Sequence, residues 1–88
     1  MEYIFYADPG HSWLKVPMSE IKELGIEGKI TPYSYINGGM VYLEEDCDAQ
    51  LFIDKLKAEG KKFNYREVYT EHSPIRGYRS YQGPKNKG

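Results

Sequence analysis

His11 ends the run Asp8-Pro9-Gly10-His11 within "YADPGHSWLKVP" and is one of two histidines in the 88-residue chain. A histidine beside an aspartate in a glycine turn is a plausible corner of a zinc site. Such a site needs three or four protein ligands in a closed shell, and the other histidine, His72, stands far along the chain next to Glu71. Asp8, His11, Glu71 and His72 share no metal-ligand spacing, so a zinc-dependent hydrolase using His11 is a remote alternative. The turn has a simpler reading. Asp at the first position, Pro at the second and Gly at the third suit a type II β-turn, in which Pro presets φ and Gly supplies a positive φ. Every residue of the turn except His11 then has a conformational reason to be there.

The single cysteine, Cys47, falls at the expected start of a helix, a place where nucleophilic thiols occur. Glu44, Glu45, Asp46 and Asp48 surround it and oppose a further negative charge, so it reads as a small buried hydrophobe. "LEEDCD" lacks the glycine and the distal glutamate of a calcium loop, and helix N-capping by Asp46 or Asp48 accounts for it without metal. Gly38-Gly39 precedes no helix and so makes no phosphate loop. The chain reads as a non-enzyme that needs no cofactor.

The elements that would carry these residues follow from periodicity. "EYIFYA" (2–7) and "SWLKV" (12–16) read as a strand pair around the first turn. "PMSEIKELGI" (17–26) reads as a short helix with Pro17 first. Gly25 takes the left-handed C′ position, pairing Ile21 with Ile26 in a Schellman stop. "PYSYINGGMVYLEE" (32–45) is a second hairpin, with a two-residue loop at Asn37-Gly38 or Gly38-Gly39. Either loop sets Tyr33, Tyr35, Met40 and Tyr42 on one face and Ile36, Val41 and Leu43 on the other. "DCDAQLFIDKLKAEG" (46–60) is the main helix, its stripe Ala49, Phe52, Ile53 and Leu56, its cap Gly60. "KKFNYREVYTE" (61–71) is a last strand.

The order ββαββαβ predicts an α+β two-layer sandwich: a mostly antiparallel sheet of about five strands with two helices on one face. Residues 1–71 form the domain, and residues 72–88 form a basic, tyrosine-containing arm, ordered to about Tyr81 and frayed beyond. A chain of this length buries roughly two-thirds of its extended surface, which leaves little room for an enclosed cleft. One cysteine excludes an internal disulfide, and the acidic, short apolar start resembles no signal peptide. With no stretch of membrane-span length, the expected compartment is the cytoplasm.

Net charge is −1, but residues 1–60 hold five Lys/Arg against eleven Asp/Glu, and residues 61–88 hold seven against two. The basic arm either meets an acidic partner or folds back on its own body. The chain also has nine tyrosines. We expect Ile4, Leu14, Val16, Ile36, Val41, Leu43 and Val68 to meet the helices. Tyr3, Phe5, Trp13, Tyr33, Tyr35, Tyr42, Phe63, Tyr65 and Tyr69 are then left on the uncovered face. An exposed aromatic face marks a contact surface. Three uses compete for it. It docks a protein, with Arg66, Arg76 and Arg79 as anchors and Tyr78 beside them; or it stacks the bases of single-stranded nucleic acid while Lys61, Lys62, Arg66, Arg76, Arg79 and Lys85 follow phosphates. In the third, the arm covers it with Ile75, Tyr78 and Tyr81, or a homodimer buries it. The acidic body and the missing RNA-recognition pattern favour a protein partner or self-association over nucleic acid.

Two resemblances bear on this. "DPGH" resembles the opening of the zinc-dependent N-acetylmuramoyl-L-alanine amidases, over those four residues alone. With "LGI", "YSY", "VYLEEDCDA" and "PIRGY" added to "YADPGHSWLKVP", the chain resembles, to about Tyr81, a group of small uncharacterised proteins encoded by phages, plasmids and other mobile elements. That likeness carries over no functional residue. It implies a setting in which small proteins block, mask or adapt a host protein, and with the residue reading above the expectation is a small module that binds a host or phage protein through the tyrosine-rich face and the basic arm.

Overall fold

A computed structural model describes residues 2–82. The elements are β1 (Glu2–Ala7), β2 (Ser12–Pro17), α1 (Met18–Glu23), β3 (Tyr35–Asn37), β4 (Met40–Glu44), α2 (Asp48–Ala58), β5 (Asn64–Tyr69), a 3-10 turn (Pro74–Gly77) and β6 (Arg79–Ser80). The fold is α+β. One open sheet runs β5-β1-β2-β4-β3-β6, antiparallel except for the parallel pair β1 and β5. The sheet has six strands among the described residues where about five were expected, because the arm supplies β6. The expected fraying lies, after Gln82, outside the described residues, as does Lys85.

Local chemistry sets the turns. Gly25 has φ +72°, with Ile26 N–H donating to Ile21 C=O and Gly25 N–H to Lys22 C=O, the predicted Schellman pair. Gly60 repeats it at φ +81°, with Lys61 N–H on Leu56 C=O. Gly38 and Gly39 are both left-handed, at φ +58° and +80°, so the second hairpin turns on Gly38-Gly39 in the primed form that matches strand twist. Pro17 ends β2 instead of opening α1, but its missing N–H is equally harmless there.

Both helices cover one face, here called inner. Leu14, Val16, Val41 and Leu43 on the sheet meet Ile21 of α1 and Ala49, Phe52 and Leu56 of α2. Fully burying Phe52 alone contributes about 1.5–3 kcal/mol. On the outer face, among the described residues, lies no α-helix but the 3-10 turn. There the chain crosses from β5 at one edge to β6 at the other, and Ile75 and Tyr78 pack onto Trp13, Tyr35 and Tyr42.

The hairpin parity is as expected: Tyr35, Met40 and Tyr42 point outward, and Ile36, Val41 and Leu43 inward. The parity of β1 and β5 is reversed. Phe5 lies opposite Leu14 and shares the inner face with Tyr3, whose ring meets Phe52 edge-on at 5.5 Å. Ile4 lies outward, between Lys15 and Arg66. Tyr65 and Tyr69, paired with Tyr3 and Ala7, follow the inner face, and Val68, paired with Tyr6, the outer. Phe63 stacks on Tyr3 and joins the inner core. The reason is that a buried phenol needs only a rim partner: Tyr3 hydroxyl donates to Glu20 Oε1 at 2.7 Å.

Candidate functional site

The opening turn closes with Asp8 N–H on His11 C=O at 2.8 Å. It is not type II, since Gly10 is absent from the positive-φ glycines. Asp8 Oδ1 accepts from the N–H groups of Gly10 and His11, each at 2.9 Å, a side-chain turn of the kind aspartate favours. The same carboxylate grips the arm. Arg76 Nε donates to Oδ2 at 2.6 Å and Nη2 to Oδ1 at 3.0 Å, a two-pronged ion pair 68 residues apart in sequence. A Cβ at Gly10 would sit 3.0 Å from Arg76 Nη2, so any larger residue there would press on the guanidinium. The guanidinium also lies 5.4 Å above the Trp13 ring. Bonding to Arg76 first, and then to the turn amides, holds the Asp8 carboxyl well below the usual carboxylate range.

The "DPGH" turn is therefore a clasp. His11 and His72 are both exposed, and no group of three or more His, Cys, Asp or Glu among the described residues is placed to hold a metal ion. Cys47 is exposed, not buried as expected; it stands at the N-cap of α2 without making a side-chain cap. Glu44 instead fixes the turn that leads into α2, accepting from Asp46 and Cys47 N–H at 2.9 and 3.0 Å. Asp48 has another task. It is buried, and its Oδ2 accepts from Thr31 N–H, Thr31 Oγ1 and Ser34 Oγ. That fixes the segment before β3, and Ser34 in turn accepts from Glu44 N–H at 2.9 Å.

Ser34 also receives the end of the arm, its C=O accepting from Tyr81 N–H at 2.8 Å. Tyr81 is fully buried in the inner core and donates its hydroxyl to Glu27 C=O. Burial, with Glu27 and Asp48 nearby, raises its phenol above the ordinary value. The arm thus grips both faces, Ile75 and Tyr78 outside and Tyr81 inside.

The expected site residues separate into groups. Tyr35, Tyr42, Tyr78 and Arg76 come together on the outer face under or within the arm. The Tyr42 and Tyr78 rings are 5.1 Å apart, and burial raises the Tyr42 phenol. Arg66 lies on the outer side of β5 with Glu2 at 3.4 Å, and Arg79 sits exposed on β6 opposite Ile36. Tyr33 is 77% exposed and precedes β3, so it belongs to neither sheet face. Tyr65 and Tyr69, 55% and 59% exposed, stand on the edge strand β5, on the inner side but beyond the helices. Tyr65 meets Phe5 edge-on at 5.1 Å and stacks on Phe63 at 5.5 Å, so an aromatic ridge runs from the core to the open edge. Sequence reasoning missed Tyr6 and Lys15, which lie beside Tyr42 on the outer face. Among the described residues, no helix is long and apolar enough to cross a membrane. Comparison with protein-family models, curated proteins and solved structures finds no match to this chain.

Proposed function

We propose that this chain is a non-catalytic binding module that recognises another protein by sheet extension at β5, with Tyr65 and Tyr69 as anchors. The observation that carries it is the coincidence of an open edge with exposed rings. Among the described residues β5, six residues long, ends the sheet, and two of the three exposed large hydrophobic residues project from it. An edge strand offers unpaired N–H and C=O groups to an extended segment, while alternate side chains select it. This moves the docking surface away from the arm, whose Arg76 is engaged by Asp8 and whose Tyr78 packs on Tyr42. On the mobile-element resemblance the partner is a host or phage protein, and the exposed free thiol of Cys47 suits a reducing cytoplasm.

Single-strand nucleic acid fits less well. Base stacking needs rings on one continuous surface, and Tyr35 and Tyr42 lie on the opposite side from Tyr65 and Tyr69.

The test is affinity capture with the intact chain and with Tyr65→Ala/Tyr69→Ala. Captured protein should vanish with the double variant and persist with Tyr33→Ala. Equal recovery from the double variant removes β5 from the reading.

A further inference from the structure

Where the crossing segment spans the outer face it leaves a groove of about 400 Å³. Tyr6, Tyr42 and Val68 form the sheet side, and Pro74, Ile75 and Tyr78 the side made by the arm. The groove's volume lies within the range of small-molecule sites, which combine aromatic walls with a few polar groups.

The charged group here is Lys15, with Thr70 and Ser73 as further polar lining. It is half-buried, lines the groove, and has no carboxylate within ion-pair distance among the described residues. No acidic residue lines the groove. Glu2, which shares an adjoining depression with Lys15, faces Arg66 at 3.4 Å. By contrast, a depression of similar volume beside α1 has two glutamates, Glu20 and Glu23, and two lysines, Lys61 and Lys62, in its lining, so its charges balance in number. The outer groove thus has one uncompensated positive charge set among phenol rings.

We propose that this groove binds a small planar aromatic carboxylate, its ring against Tyr6, Tyr42 and Tyr78 and its carboxylate on Lys15. One cation matches a monoanion, and the rings supply flat apolar contact with hydroxyl tips. The site is separate from β5 and does not depend on the protein-binding reading.

The test titrates the ¹⁵N-labelled full chain with indole-3-acetate, 4-hydroxyphenylacetate and benzoate. Tryptamine serves as a ring without the anion and acetate as an anion without the ring. Saturable amide shifts are expected around residues 6, 15, 42 and 68–78, with indole-3-acetate binding at least about tenfold tighter than tryptamine or acetate. Lys15→Met should abolish that preference, Lys15→Arg should keep it, and Tyr65→Ala/Tyr69→Ala should leave it unchanged. Thermal melting checks that each variant is folded. If Lys15→Met fails to fold, the comparison of indole-3-acetate with tryptamine on the natural chain still decides. No saturable shift with any of the three carboxylates, equal binding of tryptamine, or shifts clustered elsewhere overturns the proposal.

Discussion

The aromatic group on the outer face and the one that runs to β5 are both clusters of packed rings, yet they end differently. Trp13, Tyr35, Tyr42 and Tyr78 are closed over by a segment that is pinned at Asp8 by Arg76 and anchored beyond β6 by Tyr81. Tyr3, Phe63, Phe5 and Tyr65 begin under α2 and run out past its cover until Tyr65 is 55% exposed. Nothing in the rings separates the two groups. What differs is whether a later part of the chain passes over them, and that depends on a few polar contacts far away in sequence. With one face closed, the other group's edge is where aromatic rings stay exposed.

Breaking the anchor should have the largest effect. Tyr81→Ala empties a fully buried site and should cost about 3–5 kcal/mol, read by urea denaturation. The outer cluster should loosen with it, seen as faster amide exchange at residues 75–78. A loss well under 1 kcal/mol would mean that the arm does not hold the outer face closed.

Acid should act on the clasp next. The folded-state Asp8 carboxyl is more acidic than its ordinary value of 3.8. Its contribution is therefore complete above about pH 4–5 and is lost as pH falls through and below that value toward the folded one. Thermal melts from pH 6 to 2 should show a steeper acid limb for the natural chain than for Asp8→Asn, which should also be less stable at neutral pH. Identical acid limbs would contradict the clasp.

At the open group the effect on stability should be small. Tyr69→Ala should change unfolding free energy by no more than about 0.5 kcal/mol and Tyr65→Ala by no more than about 1.5 kcal/mol, because both rings are more than half solvated and Tyr65 also meets Phe5 and Phe63. A larger loss would make the ridge part of the core instead of a surface. Smallest of all, Cys47 should react fully with a thiol reagent in the native state, with no change in melting temperature; protection until unfolding would contradict its exposure.

Much of this was readable in advance where a local rule fixes the answer. Gly25 and Gly60 as helix stops, the turn near Gly38 and the α2 stripe each rest on the conformational limits of a few adjacent residues. The hairpin parity was equally secure, since both available two-residue loops give it. The faces of β1 and β5 were not, because aliphatic residues were expected inward and aromatic ones outward, and burial imposes no such rule on tyrosine. The first turn did hold a signal: closing Asp8 against His11 places Phe5 opposite Leu14, and Leu14 is core.

The sequence by itself determined the two helices, both hairpins and the tyrosine-rich, charge-divided character of the chain, because those follow from neighbours or from counting. Only tertiary structure decided that Asp8 would hold Arg76, that β5 would lie parallel to β1 at the edge, and that Tyr81 would seal the inner core while Tyr65 stayed outside. Those outcomes depend on contacts between residues tens of positions apart. Such contacts exist only once the sheet is assembled, so no local pattern of residues encodes them.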